Sequence, residues 1–196
     1  MNQDEYQAKR DFKRTNEPQG NTLKKDGHPP IFVIQKHDAS TLHYDFRLEI
    51  GGTLKSWAVP KGPSNDPAIK RMAIPTEDHP MDYAWFEGPI PEGEYGGGTV
   101  MIWDKGSFDN LKTDKEGNKI SLEDSYEQGN VEIFLKGERL RGGYAIIKMK
   151  SGRMAGNWLL TKMKDEHANP DFDPVKTANR SVVSGKTMEE IAKGMN

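Results

Sequence analysis

The stretch LHYDFRLEI, residues 42–50, carries the strongest structural signal in this 196-residue chain. Its residues alternate between apolar and ionisable side chains, which is the two-residue period of a strand with one buried face. The apolar residues are Leu42, Tyr44, Phe46, Leu48 and Ile50, and the ionisable ones are His43, Asp45, Arg47 and Glu49. The sequence therefore predicts a strand that packs a core on one side and presents an imidazole, a carboxylate and a guanidinium on the other.

Gly51 and Gly52 follow this strand and predict a tight hairpin, because glycine readily adopts positive φ. A two-residue hairpin at this point places Asp45 opposite Ala58 and Arg47 opposite Ser56. Such small partners leave space beside the ionisable side chains. The pattern therefore favours a ligand-binding cleft over a crowded salt-bridge surface.

The remaining chain is typical of an all-β protein. Many short strands with few helices predict an antiparallel barrel or sandwich. Helices are expected over residues 4–13 and after the capping-box sequence TMEE at 187–190. Further strands are predicted at 31–34, 71–74, 98–103, 130–135, 144–149 and 157–163. We expect a single domain over residues 1–196, with an N-terminal arm (1–30), a core (31–165) and a C-terminal tail (166–196).

Composition excludes several classes of protein and of site. The chain has no cysteine, so disulfides and thiolate metal sites are excluded, and histidine and carboxylate are the available metal ligands. It has no signal region and no run approaching the roughly 20 apolar residues of a membrane span, which predicts a cytoplasmic protein without a membrane segment. The formal net charge of -2 argues against a general nucleic-acid coat.

The N-terminal arm is locally basic despite the acidic balance of the chain. Either these residues contact a polyanion, or they form a solvated charged surface. The basic residues are Lys9, Arg10, Lys13, Arg14, Lys24 and Lys25.

His37, His43 and Asp45 form a candidate metal site, since two imidazoles and one carboxylate supply three facial positions of a divalent ion. Manganese, zinc and ferrous iron all suit these ligands, and a polar face without metal is the alternative. Arg47 lies two residues beyond Asp45, where a guanidinium fork can bind a phosphoryl oxygen in a bidentate manner. The alternative for Arg47 is a surface contact with a neighbouring carboxylate. Lys61 and Arg71 either add positive charge to the site or are solvated.

His79 lies in the sequence TEDHPMDY, residues 76–83, where Pro80 favours a turn or a helix boundary. The neighbouring carboxylates predict a raised pKa and a role as general acid or phosphate donor. The alternative is a capping residue without a catalytic role.

Several motifs, in order along nearly the whole chain, closely resemble the 3′-phosphoesterase domain of bacterial ligase D. They are KRDF (9–12), TNEP (15–18), FVIQKHDA (32–39), LHYDFRLE (42–49), SWAVPKGP (56–63), EDHPMDY (77–83), FEGPIPEGEYG (86–96), WDKG (103–106) and WLLTK (158–162). This series is far more specific than a single His-x-Asp pattern.

The resemblance implies a compact antiparallel β-barrel and a manganese-dependent enzyme, with zinc or another divalent transition metal as alternatives. The enzyme would remove 3′-terminal ribonucleosides and 3′-phosphates from DNA or RNA–DNA primer ends, leaving a 3′-hydroxyl for repair. It implies that His37, His43 and Asp45 hold the metal, and that Arg47, His79 and Tyr83 contact the phosphate. It implies supporting roles for Arg10, Asp11, Glu17, Glu77, Lys61 and Arg71.

The resemblance also implies an arm that folds across the barrel mouth, with Asp11 and Glu17 orienting Arg10 and the histidines. No ligase or polymerase motif accompanies these segments, so we expect a free-standing, monomeric version whose repair partners act in trans. Two other functions remain open: a ferrous-iron oxygenase with the same ligand set, and a non-catalytic nucleic-acid module that uses the basic arm.

Overall fold

The strand predicted at residues 42–50 spans Leu42–Ile50 in the computed structural model, which describes residues 3–20 and 27–194. Within those ranges the strands are β1 Ile31–Asp38, β2 Leu42–Ile50, β3 Thr53–Val59, β4 Lys70–Pro75, β5 Gly88–Ile90, β6 Gly98–Asn110, β7 Asn130–Gly137, β8 Arg141–Lys148 and β9 Trp158–Lys162. Eight of them close an antiparallel barrel in the order β1-β2-β3-β4-β9-β8-β7-β6, with β6 paired to β1. The short β5 pairs with the first residues of β6, outside the closed ring. The predicted all-β barrel is therefore confirmed.

The β2–β3 hairpin has the predicted register. Gly51 and Gly52 adopt φ values of 64° and 79°, which a side chain would disfavour. Asp45 consequently lies opposite Ala58, and Arg47 lies opposite Ser56.

The barrel interior is filled by the inward-facing side chains of the strands. Even-numbered residues of β1 and β2 meet aromatic residues from other strands, as in the edge-on contact of Tyr44 with Trp103 at 5.4 Å. Burial of each large apolar side chain contributes about 1.5–3 kcal/mol. The C-terminal segment completes this core, because Met188 and Ile191 pack into it and Trp103 Nε1 donates to the carbonyl of Ala178 at 3.0 Å.

A second apolar cluster lies on the outer wall of the barrel. It is formed by odd-numbered residues of β1, such as Val33, together with residues of the arm and of a 3₁₀ helix at Met81–Trp85. Tyr6 of the arm is buried in this cluster, and its hydroxyl donates to the carbonyl of Pro18 at 2.6 Å. The expectation that the arm crosses the barrel mouth is therefore wrong, since the arm packs against the side of the sheet.

The helices are short, as predicted, although several boundaries differ. They are α1 Gln3–Ala8, α2 Leu122–Gln128, α3 Pro174–Thr177 and α4 Met188–Ala192. The capping box predicted at Thr187 is present and opens α4, whereas α1 ends earlier than expected. Helix α2 was not predicted, although Ser121 caps its first turn and Gly129 ends it in a left-handed conformation. Along residues 3–20 and 27–194, no helix has the length and apolar character that crossing a bilayer requires.

Candidate metal centre and phosphate cleft

The three predicted metal ligands converge on the outer face of β1 and β2. His37 and His43 are directly opposed in the sheet, and Asp45 is two residues further along β2 on the same face. His37 Nδ1 lies 3.4 Å from Asp45 Oδ2, and His43 Nε2 lies 3.6 Å from Asp45 Oδ1. All three ligand atoms lie within 4.8 Å of one another. The arrangement suits a divalent metal ion.

Backbone carbonyl groups orient both imidazoles. His37 Nε2 lies 2.8 Å from the carbonyl oxygen of Gly96, and His43 Nδ1 lies 2.8 Å from that of Thr41. Because a carbonyl oxygen only accepts, these two nitrogens must carry the protons. In the neutral rings, the nitrogens that face Asp45 then have free lone pairs, as metal-ligating histidines require. The three donors therefore suit a metal ion both in their spacing and in the tautomers of the two histidines.

Asp45 is held as a carboxylate. Burial alone would raise its pKa, but the Arg47 guanidinium at 3.2 Å outweighs it and holds the pKa well below its usual range. Asp45 is thus anionic at neutral pH and ready to bind a cation.

Arg47 is buried beneath the cleft, and most of its N–H groups have protein partners. Its Nε donates to Gln35 Oε1 at 2.7 Å, and its Nη1 donates to Ser56 Oγ at 2.9 Å and lies 3.0 Å from His79 Nδ1. Its Nη2 donates to Asp45. Among the described residues this leaves one N–H of Nη2 for a ligand. The side chain can place one hydrogen bond and a positive charge at the cleft, but the bidentate contact expected from the sequence would require a rearrangement.

His79 is neutral, and the raised pKa expected from its neighbours in sequence is wrong. Burial, together with the positive charges of Arg47 and Arg10, lowers the pKa of its imidazole well below the usual value. The side chains of Glu77 and Asp78 turn away to other cations. Nδ1 of His79 lies 3.0 Å from Arg47 Nη1 and 2.9 Å from the carbonyl oxygen of Glu77, and in a neutral ring it either accepts from the first or donates to the second. In both cases Nε2 is the ring atom left for a ligand.

The arm brings Arg10 and Glu17 to the cleft. Arg10 Nε donates to Glu17 Oε1 at 2.8 Å, and its Nη1 donates to Glu77 Oε1 at 3.2 Å. Glu17 also accepts the Tyr83 hydroxyl at 3.0 Å, and burial with this carboxylate keeps the pKa of Tyr83 well above its usual value. Tyr83 therefore supports Glu17 and, through its ring 4.8 Å from the Arg47 guanidinium carbon, Arg47. Tyr83 also lines the cleft, so its predicted contact with the phosphate stays a prediction, although its hydroxyl proton is donated to Glu17.

Three predicted residues are not brought to the cleft. Asp11 is exposed, and its carboxylate caps the local turn by accepting from the backbone N–H of Lys13. Lys61 is exposed in the turn after β3. Arg71 lies on β4 with the parity of Ala73, which faces the barrel interior. Lys24 and Lys25 lie outside the described residues.

A family model for the DNA ligase D 3′-phosphoesterase domain matches residues 35–148, which contain all three proposed ligands as well as Arg47, His79 and Tyr83. The chain belongs to this family. It is 47% identical over 187 residues to the multifunctional non-homologous end joining protein LigD of Pseudomonas aeruginosa, covering 94% of this chain and 21% of that protein.

Two further relatives of this phosphoesterase domain have slightly lower sequence identities. LigD of Mycolicibacterium smegmatis is 41% identical over 191 residues, covering 96% of this chain and 24% of that protein. LigD of Mycobacterium tuberculosis is 41% identical over 168 residues, covering 86% of this chain and 20% of that protein. The chain therefore spans between a fifth and a quarter of the length of these relatives.

The phosphoesterase domain also places residues at the cleft that sequence reasoning missed. Gln35 is fully buried and holds Arg47 in place, while its Nε2 donates to the carbonyls of Tyr83 and Phe86. The sequence does contain a signal for Gln35, because it lies two residues before His37 and therefore on the same face of β1. Tyr95 lines the cleft, and no periodic pattern marked it, because it lies in a glycine-rich turn.

The completed cleft has a volume of about 260 Å³. One end has the three candidate metal ligands, and the rest is lined by Arg10, Arg47, His79 and the rim residue Tyr95. Two guanidinium groups beside a metal-binding triad can neutralise the charge of a phosphate ester and fix its orientation.

Proposed function

We propose that this domain is a metal-dependent phosphoesterase that heals the 3′ ends of DNA or RNA–DNA primers. It removes 3′-terminal ribonucleosides and 3′-phosphates and leaves a 3′-hydroxyl. The observation that carries the proposal is the convergence of His37, His43 and Asp45 beside Arg47, in a chain that belongs to a 3′-phosphoesterase family.

We propose Mn²⁺ as the metal, with Zn²⁺ or another divalent transition metal as alternatives. Two imidazole nitrogens and one carboxylate oxygen form a mixed donor set that suits these ions. When bound, the ion supplies positive charge at the phosphoryl oxygens and activates the attacking group.

The side chains of the cleft have separate roles in this proposal. The remaining N–H of Arg47 and the Nη2 group of Arg10, which has no protein acceptor among the described residues, bind the non-bridging phosphoryl oxygens. His79 cannot be a strong acid because its pKa is lowered. With Nδ1 accepting from Arg47 Nη1, the neutral ring carries its proton on Nε2, and we assign this N–H a hydrogen bond to the phosphate in the transition state. Glu17, Glu77 and Gln35 position the two arginines.

Both reactions need only water as a co-reactant. In 3′-phosphate removal, water forms a bond to phosphorus, the bond from phosphorus to the sugar 3′-oxygen breaks, and the proton released by the water ends on that oxygen. The products are a 3′-hydroxyl and inorganic phosphate. In ribonucleoside removal, attack by water on phosphorus expels the nucleoside 5′-oxygen, which takes the proton, and leaves a 3′-phosphate. If the neighbouring ribose 2′-hydroxyl attacks instead, the same oxygen leaves with that proton and a 2′,3′-cyclic phosphate forms, which one water molecule then opens to the 3′-phosphate.

The names of the relatives support a place in non-homologous end joining. We propose that the domain prepares 3′ ends for polymerase and ligase activities, supplied by separate proteins or by a longer chain. We expect it to act as a monomer in the cytoplasm.

The decisive experiment is incubation with a labelled primer-template that ends in two 3′-ribonucleotides, with either Mn²⁺ or a chelator present. We expect Mn²⁺-dependent shortening by one nucleoside, followed by loss of the new 3′-phosphate. Binding of the primer-template without any metal-dependent product would favour the non-catalytic nucleic-acid module. Oxygen consumption with an oxo-acid co-substrate and Fe²⁺ would favour the oxygenase.

A further inference from the structure

Tyr95 is the large aromatic residue whose exposure and position the proposed chemistry leaves unexplained. Among the large aromatic side chains of the described residues that are exposed, Trp85, Tyr95 and Phe172, it is Tyr95 that lines the cleft. It is 46% exposed, so its ring does not serve the apolar core.

The ring is nevertheless held in a fixed position. Its hydroxyl donates to Glu77 Oε2 at 3.2 Å, and the other oxygen of that carboxylate accepts from Arg10. The Lys9 ammonium lies 4.7 Å from the ring centroid, and the Arg10 guanidinium carbon lies 5.5 Å from it. An exposed ring that is already ordered binds a ligand with a smaller entropy loss than a mobile one.

The position of Tyr95 relative to the metal ligands limits what it can contact. The next residue, Gly96, accepts the His37 Nε2 hydrogen bond at 2.8 Å, so the backbone of this turn adjoins the metal centre. A phosphate ester bound at His37, His43 and Asp45 has its nucleobase one sugar away. Tyr95 lines the same cleft as the three ligands, so its ring borders the space that this nucleoside would enter.

We propose that Tyr95 binds the nucleobase of the nucleoside whose 3′-oxygen carries the phosphate, by stacking its exposed ring on the base. The inference rests on the proposed function, because it takes the cleft as the phosphate site. Stacking on an aromatic ring is tolerant of base identity, since every base has a π-face. The side chain is thus a substrate-positioning residue that recognises a nucleotide end of any sequence.

The test removes the Tyr95 ring, the substrate base, or both, and compares the resulting KM values of the Mn²⁺-loaded enzyme. One substrate is a 3′-phosphorylated oligonucleotide with a normal last nucleotide, and its twin has a stable abasic sugar at that position. The variants are Tyr95→Leu, which removes the ring, and Tyr95→Phe, which keeps the ring and loses the hydrogen bond to Glu77. Phe172→Leu, at an exposed aromatic residue away from the cleft, is the matched control.

We expect Tyr95→Leu to raise KM about tenfold more on the substrate with a base than on the abasic twin, since stacking on an aromatic ring is lost. The effect on kcat is expected to be smaller. Tyr95→Phe should keep the wild-type ratio of the two KM values, and so should Phe172→Leu. Equal rises in KM on both substrates, or a fall in kcat alone, would overturn the assignment.

A second measurement separates this inference from the proposed function. Fluorescence anisotropy of the two labelled oligonucleotides in the presence of chelator reports binding without turnover. Stacking predicts that the wild type prefers the oligonucleotide with a base, and that Tyr95→Leu loses this preference. If the wild type hydrolyses neither substrate, the proposed function fails while the binding cycle still decides the role of Tyr95. Equal binding of both oligonucleotides by the wild type would reject that role.

Discussion

The carboxylates of Asp45 and Asp104 are both buried in the same barrel, yet their partners differ in kind. Asp104, on β6, accepts four backbone N–H groups, from Lys105, Glu138, Arg139 and Leu140, at 2.8–3.1 Å. Asp45 instead faces the side chains of Arg47 and the two histidines. The first arrangement closes a turn around the carboxylate, whereas the second directs several ligand atoms at one another and leaves a place for a cation.

The buried cations show the same contrast. The Lys162 ammonium donates to the carbonyls of Gly143 and Met163 and pairs with Asp165, so it is enclosed mainly by backbone groups. Arg47 has only side chains as described partners. Asp104 and Lys162, which are held mainly by backbone groups, fix loops. Asp45 and Arg47, which are held by other side chains, line the cleft, where a ligand can compete for or complete the contacts.

The largest effect should come from removing a ligand of the cleft. We expect His43→Ala to lower 3′-phosphate release by about a thousandfold or more, because a bound metal supplies several kcal/mol of transition-state stabilisation. Melting temperature should change little, since His43 is partly exposed. His28→Ala, at an exposed histidine, is the control. Full activity of His43→Ala would remove His43 from the site.

The contrasting change is Asp104→Ala, which removes the acceptor of four backbone N–H groups, one of them buried and three partly buried. We expect a loss of about 4 kcal/mol in the free energy of unfolding, measured by urea denaturation. The matched control is Asp109→Ala, at an exposed carboxylate on the same strand, with an expected change below about 0.5 kcal/mol. Similar stabilities of the two variants would show that the backbone N–H cluster is not structural.

The two carboxylates should respond to pH in opposite directions. Burial raises the pKa of Asp104 to about 6, against the effect of its N–H donors, while the pKa of Asp45 is lowered. The folded state therefore holds the Asp104 proton more tightly than the unfolded state does. Its contribution to stability is full below the unfolded pKa and is lost as the pH rises through about 6. Asp45 contributes stability above its unfolded pKa and loses it as the pH falls.

The measurement is urea denaturation of the metal-free wild type and of Asp104→Asn between pH 4 and pH 7. As the pH rises, the wild type should lose stability relative to the variant, by roughly 3 kcal/mol for a shift of about two pKa units. If the difference in the free energy of unfolding between the wild type and Asp104→Asn stays constant with pH, the raised pKa of Asp104 is contradicted.

The smallest effect should come from the residue that holds Arg47 without touching the ligand. Gln35→Leu removes the acceptor of the Arg47 Nε hydrogen bond, and we expect activity to fall about tenfold, as for other residues that orient a site from behind. Gln19→Leu, at an exposed glutamine, is the control. An unchanged activity would mean that Ser56, His79 and Asp45 suffice to orient the guanidinium.

The sequence predicted the parts of this site that depend on local geometry. The alternation in β2 and the turn at Gly51 and Gly52 fixed which side chains share a face and which residues oppose Asp45 and Arg47. It did not predict what approaches that face from distant segments. The pKa of His79 shifts in the opposite direction to the expected one because burial, together with the charge of Arg47, 32 residues away in sequence, outweighs the neighbouring carboxylates.

Long-range packing also decides which of the predicted residues reach the cleft. The charge of Arg71 makes it a candidate in the sequence, but its parity on β4 places it on the interior face with Ala73. Tyr95 was missed because a glycine-rich turn has no period from which a face can be read. Both positions depend on how separate strands and turns meet, which the order of residues in one segment does not determine.

The most direct test of the metal centre is the anomalous difference density of crystals soaked in Mn²⁺. We predict one strong peak about 2.0–2.2 Å from His37 Nδ1, His43 Nε2 and an oxygen of Asp45. The peak should be absent from crystals of His43→Ala soaked under the same conditions. Density at another group of residues, or no density at these three atoms in the wild type, would contradict the account.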